Sequence, residues 1–157
     1  MASTGAKVGG VSAAVLLLAG AIVSKWEGTR YSVYLDVAGN PTVCTGHLLP
    51  KNTDLSRRYT KAECDALLAA DMAEADAAVV RCLPMPMLDH VHAALLSATF
   101  NVGPRVVCGS RLQELALAND WPGACRELSR WRMAGGRVIR GLELRRADER
   151  KLCEGKA

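Results

Sequence analysis

Sixteen consecutive uncharged residues, Val8 to Val23, separate Lys7 from Ser24 and Lys25 near the start of this 157-residue chain. Built as a helix the run would measure about 24 Å, against a hydrocarbon core of roughly 30 Å. It holds Gly9, Gly10 and Gly20, Ala13, Ala14, Ala19 and Ala21, with Leu16, Leu17 and Leu18 at its centre. Four readings compete. A cleaved export signal is supported by Ala19-Gly20-Ala21, an A-x-A-like site. A permanent anchor is disfavoured by length. A weak anchor that can later leave the bilayer fits both the length and the glycines. A helix buried in a cytosolic core fits least, because the run has no polar face. The first three all export the remainder of the chain.

Export agrees with the cysteines, six in a small chain, a density typical of oxidising compartments. Only one Phe, three Trp and three Tyr are present, so the core must be filled by Ala, Leu and Val, and cross-links compensate in part. Six cysteines allow 15 pairings. Helix facing favours Cys125 with Cys153 and leaves Cys44 with Cys64 and Cys82 with Cys108. No two cysteines have the spacing of a zinc site.

From Lys25 onward the chain reads as one soluble domain without an internal linker. Val37 to Pro41 is a turn, rich in residues that tolerate or fix unusual backbone angles. Thr42-Val43-Cys44-Thr45-Gly46-His47 reads as one strand of a small sheet. Thr60-Lys61-Ala62-Glu63 is a capping box opening a helix to about Val80, with Cys64, Leu67, Leu68, Met72, Ala75 and Val79 on one stripe. A second helix is expected from Leu88 to Asn101, and Ser110-Arg111-Leu112-Gln113 opens another. Asp120 caps a helix with Pro122 in its first turn and an end at Gly135-Gly136. A basic helix from Gly141 to Cys153 closes the domain. Sheet first and helices after make the class α+β with a mainly helical body.

Glu27 and Asp36 lie nine residues apart with a turn beyond them, and Thr42 follows. Glycoside hydrolysis needs one carboxylic acid to protonate the leaving oxygen and a second carboxylate across the bond. Spacing alone is weak support, since two acids near a turn are usually just solvated. The surrounding residues add more: Trp26-Glu27-Gly28, Asp36, Thr42 to His47, Tyr59 to Cys64, Phe100-Asn101-Val102-Gly103, Gly123-Ala124-Cys125, Trp131 with Ala134-Gly135-Gly136, and Gly141 to Arg146. In that order they resemble the phage endolysins of the T4-lysozyme-like family, from Trp26 to Cys153. The resemblance implies a lysozyme-like fold, with a small N-terminal β-sheet lobe and a larger C-terminal helical lobe. It implies hydrolysis of the β-1,4 bond between N-acetylmuramic acid and N-acetylglucosamine in peptidoglycan, with inversion. By position, Glu27 is then the general acid, Asp36 the carboxylate that steers water, and Thr42 the hydroxyl that helps orient it.

The weak amino-terminal span is similar to that of signal-anchor-release members of the family, which act after leaving the membrane. Residues 1–24 are then the releasable anchor and residues 25–157 the catalytic domain. The resemblance implies a protein tethered and inactive at the host inner membrane, then active in the periplasm. Some relatives unlock a blocked site through an anchor cysteine. This run has none, which points to extraction and refolding. The expected partners are peptidoglycan strands and, before release, inner-membrane lipid, with a monomer as the working unit and no cofactor, metal or nucleic acid.

Three further groups stand out. Asp71 sits on the apolar stripe of its helix and needs a partner; His47 is the natural one, in a structural ion pair. Asp89, His90 and His92 face different sides of a helix, which speaks against a metal site. Between Arg126 and Lys151 nine Lys/Arg face four Asp/Glu; this reads as a solvated face, with wall polymer as an attracted partner and Arg145 and Arg146 either bracing the domain or touching glycan. Three rival functions remain: a membrane-tethered, disulfide-stabilised binding module for cell-wall polymer, a small membrane-permeabilising protein that uses only its apolar segment, and a lytic transglycosylase.

Overall fold

A computed structural model describes residues 11–156; Lys7, Gly9 and Gly10 lie outside them. Three antiparallel strands form the small lobe: β1 (Arg30–Leu35), β2 (Pro41–Cys44) and β3 (His47–Leu48), in the order β1-β2-β3. Most of the rest is helical, comprising α1 (Ala13–Glu27), α2 (Lys61–Cys82), α3 (Asp89–Val102), α4 (Arg111–Leu117), α5 (Trp121–Glu127) and α6 (Arg140–Cys153). A second, two-stranded hairpin pairs β4 (Met133–Ala134) with β5 (Arg137–Val138).

Helix α3 is the axis of the large lobe. Val91 and every residue from Ala93 to Thr99 are buried, and α1, α2 and α6 all pack on it. The small lobe has its own cluster of Val43, Cys44, Tyr59 and Cys64, with Val33, Leu49 and Leu67 against it. Helix α2 joins the two, its start held by the expected capping box, in which the Thr60 hydroxyl accepts from Glu63 N–H and Glu63 accepts from Thr60 N–H. The disulfides are Cys44–Cys64, Cys82–Cys108 and Cys125–Cys153, the pairings expected from the sequence. Loops of 20, 26 and 28 residues place each cross-link at about 3–4 kcal/mol of unfolded-state entropy.

Two expected elements differ. Thr42 to His47 is not one strand: Thr45-Gly46 turn the chain between β2 and β3, with Gly46 at φ +77°. The helix capped by Asp120 ends at Glu127, and Gly135-Gly136, at φ +56° and +75°, form the tip of the β4–β5 hairpin instead. Two consecutive left-handed glycines close a two-residue hairpin as readily as they stop a helix.

The apolar run also behaves differently from a span without a face. Its described part forms most of α1, where Val15, Ala19 and Val23 are fully buried, the first two within the large-lobe core. These three recur every fourth residue and make one helical stripe. The stripe is hidden in the sequence because the outward residues Leu16, Leu17 and Leu18 are apolar too, and Leu17 is 76% exposed. No helix among the described residues is long and apolar enough to cross a membrane. The expected boundary between residues 24 and 25 falls in the last turn of α1.

Candidate active site

Glu27 is the last residue of α1, and Gly28, at φ +62°, ends the helix there. Its carboxylate enters a cleft of about 560 Å³ between the lobes, bordered by Gly46 and His47 of the small lobe and by Thr99 and Asn101 of α3. Oε1 accepts from Arg145 Nη1 in a very short contact and from Asn101 Nδ2 at 3.4 Å. Oε2 lies 3.3 Å from where a Cβ at Gly46 would stand. Glycine at 46 thus serves both the left-handed turn and the close approach of the acid.

Arg145 is itself fixed from behind. It and Arg146 are buried on α6 around Glu149, which has no solvent exposure. Arg145 Nε lies 3.2 Å and Arg146 Nε 2.6 Å from the Glu149 carboxylate, and Ser97 Oγ donates to it at 2.7 Å. Arg146 Nη2 also donates to Asn101 Oδ1 at 3.0 Å, so both donors on Glu27 are tied to one network. Burial pushes the Glu149 carboxyl up, against the pull of Arg146, Ser97 and Arg145, and burial likewise lowers the Arg146 guanidinium. Two guanidiniums facing two carboxylates offset much of that desolvation. Of the two roles considered for Arg145 and Arg146, bracing is what the structure shows, and these two leave the otherwise solvated basic face. Glu149, Ser97 and Asn40 were not singled out from the sequence. Counting back four and eight residues from an inward Cys153 finds Glu149 and Arg145.

Asp36 and Thr42 stand on the β1–β2 hairpin, outside the enclosed part of the cleft. Asp36 Oδ1 accepts from Asn40 N–H at 2.8 Å and Ala38 N–H at 2.9 Å, closing the turn. The Asn40 backbone bond, followed by weaker contributions from its side chain and from Ala38 and Gly39, holds the Asp36 carboxyl below its ordinary value. Oδ2 has a single long contact, Asn40 Nδ2 at 3.4 Å, which leaves it able to accept from water. Thr42 is buried and donates to the Asn40 carbonyl at 3.0 Å, so its oxygen keeps both lone pairs for a further donor. Tyr34, opposite Thr42 across the ladder, lies within electrostatic reach of both acids. Burial raises the Tyr34 phenol, Arg30 pulls it back, and Glu27 and Asp36 push it up further.

The expected pair His47–Asp71 forms at 2.8 Å, tying β3 to α2 at the cleft wall. His92 pairs with Asp76 at 2.6 Å and His90 faces the Leu152 carbonyl, so the two histidines point to different partners.

Residues 24–149 match the family model described as phage lysozyme. The chain belongs to the phage lysozyme family. It is 39% identical over 127 residues to the SAR-endolysin of Enterobacteria phage P21, covering 81% of this chain and 76% of that one. Its fold is similar to the active form of the P1 phage endolysin Lyz, with a TM-score of 0.78 at 21% identity over 96% of this chain and 97% of that one. The secreted inactive form of Lyz fits less well, at 0.60 and 22% identity over 92% and 96%. The expected lysozyme-like, two-lobed α+β architecture is therefore present, and the protein is a lysozyme-type, cell-wall lytic enzyme of this family.

Proposed function

We propose that this lysozyme hydrolyses the β-1,4 bond between N-acetylmuramic acid and N-acetylglucosamine in peptidoglycan, with Glu27 as general acid and Asp36 and Thr42 guiding the attacking water. One observation carries the reading: of the three carboxyl groups that line the interlobe cleft, Asp71 is taken up by His47, while Glu27 is held at the end of α1 by Arg145 and Asn101. Protonated Glu27 would give its proton to the glycosidic oxygen as the bond breaks. Water on the opposite face would donate to Asp36 Oδ2 and Thr42 Oγ, turn a lone pair toward the anomeric carbon and, as the new C–O bond forms with inversion, pass its proton to the Asp36 carboxylate. The chain needs no metal or organic cofactor for these steps.

We further propose that export is by a releasable anchor, with the tethered protein inactive at the inner membrane and the released protein active as a monomer in the periplasm. Support comes from the shared helix: the apolar residues and Glu27 both belong to α1. While that helix is in lipid, Glu27 is held at the membrane face and cannot meet Arg145.

Glu27→Gln tests the chemistry. Turbidity loss of purified peptidoglycan should fall by about a thousandfold, while binding to it persists. Retained lysis would overturn the assignment, and unchanged leakage from cells would favour a permeabilising module. Released glycans should carry reducing ends; anhydro-muramyl ends would favour a lytic transglycosylase.

A further inference from the structure

The residues just before Glu27 are gripped by α6. Lys25 Nζ lies 2.6 Å and Trp26 Nε1 2.9 Å from the same oxygen, Oδ2 of Asp148. The Lys25 ammonium also stands 5.1 Å from the Trp26 ring centroid. An ion pair with a 60% exposed lysine contributes little by itself. The indole is different: it can only donate, and it is partly buried on this carboxylate. Asp148 follows Arg145 by three residues, so both face the end of α1. Arg145 and Asn101 hold the Glu27 carboxylate, and the buried stripe of Val15, Ala19 and Val23 seats the body of α1. Trp26 and Lys25 on Asp148 add a separate attachment that ties the flank of the last turn to α6.

We propose that Asp148 is a positioning residue for Glu27, the acceptor that sets the last turn of α1 on α6 so that the carboxyl enters the cleft. It touches neither substrate nor the reacting atoms and acts through Trp26 and Lys25. This rests on the reading of Glu27 as the acid and extends the anchor reading. Lys and Trp at the end of an apolar helix favour the membrane interface, so the donors that reach Asp148 in the docked helix are occupied elsewhere while the helix is in lipid.

The test uses the full chain, released and purified, acting on purified peptidoglycan. Asp148→Ala should lower kcat by about ten- to a hundredfold with KM unchanged, the signature of a displaced acid rather than weakened binding. Asp148→Asn, whose amide oxygen still accepts the indole N–H, should restore most of the rate. Trp26→Phe should reproduce the loss from the other side. Combined with Asp148→Ala it should add nothing, because the two changes remove one interaction. If Asp148→Ala does not fold, Trp26→Phe and Asp148→Asn carry the same kcat-against-KM comparison. A wild-type kcat per folded molecule in Asp148→Ala or Trp26→Phe, or fully additive losses in the pair, overturns the proposal. Wild-type protein inert on peptidoglycan, or a fully active Glu27→Gln, overturns the functional reading instead.

Discussion

Gly20→Leu separates the helix in lipid from the helix in the domain. In the docked α1 a Cβ at residue 20 meets nothing within 4 Å outside its own helix and chain neighbours, so a larger side chain starts into open space there. In a bilayer the same side chain is surrounded by hydrocarbon, and transfer of a leucine side chain from water contributes about 1.5–3 kcal/mol. Helix propensity, about 0.8–1 kcal/mol in favour of leucine, applies to both helical states and cancels between them. The surplus for the lipid side is therefore about 1.5–3 kcal/mol, or roughly ten- to a hundredfold in the equilibrium between tethered and released protein. The propensity gain survives against the unfolded chain and should raise the Tm of the detached enzyme by about 2–4 °C. Fractionation of expressing cells should show the protein shifted from periplasm to membrane, with lysis delayed. The enzyme, once detached, should act on peptidoglycan at the wild-type rate. An unshifted distribution would refute the release reasoning, and an impaired detached enzyme would refute the outward placement of Gly20. The stronger form adds leucine at Gly9 and Gly10, and should leave the enzyme tethered and inactive.

Two further outcomes follow from charges at the small lobe. Asp36 has its folded-state pKa depressed below 3.8 by the Asn40 backbone bond, so its turn-closing hydrogen bonds are present above that value and lost only as pH falls through the lower, folded one. Carboxyl NMR titration should give a midpoint under 3.8 for Asp36, and one at or above that value contradicts the turn geometry. Asp71→Asn should cost about 1–3 kcal/mol at pH 7, because His47 loses a charged hydrogen-bond partner across the lobe boundary. Equal thermal melts for variant and wild type would show that the pair contributes nothing.

What could be seen in the sequence divides by range. The start of α2 was legible because Thr60 and Glu63 satisfy each other's backbone donors locally. The Cys125–Cys153 disulfide was legible because helical phase put both residues on inward faces, whereas no such local signal singled out the other two pairings. Gly135-Gly136 misled, since glycine allows a left-handed backbone without saying whether a helix or a hairpin needs it. The acid at 27 was legible by resemblance, but the way it is held was not. Arg145, Asp148 and Glu149 sit about 120 residues downstream, among charges that read as a solvated face. Helical phase from Cys153 turns Glu149 and Arg145 inward, but only the tertiary contact between α1 and α6 reveals that Arg145 and Asp148 meet the end of α1.

Leu16, Leu17 and Leu18 carry a last implication. With α1 docked, Val15, Ala19 and Val23 do the packing while these three remain 39%, 76% and 38% exposed. A helix selected only to complete a water-soluble fold would gain from Gln or Lys at such positions. On the proposed anchor reading this helix must be comfortable in two solvents and cannot make that exchange. Substitutions along it would then be filtered twice, once by oil and once by neighbouring side chains, and the narrow alphabet of Ala, Gly, Val, Leu and Ile from Ala13 to Val23 is what passes both filters.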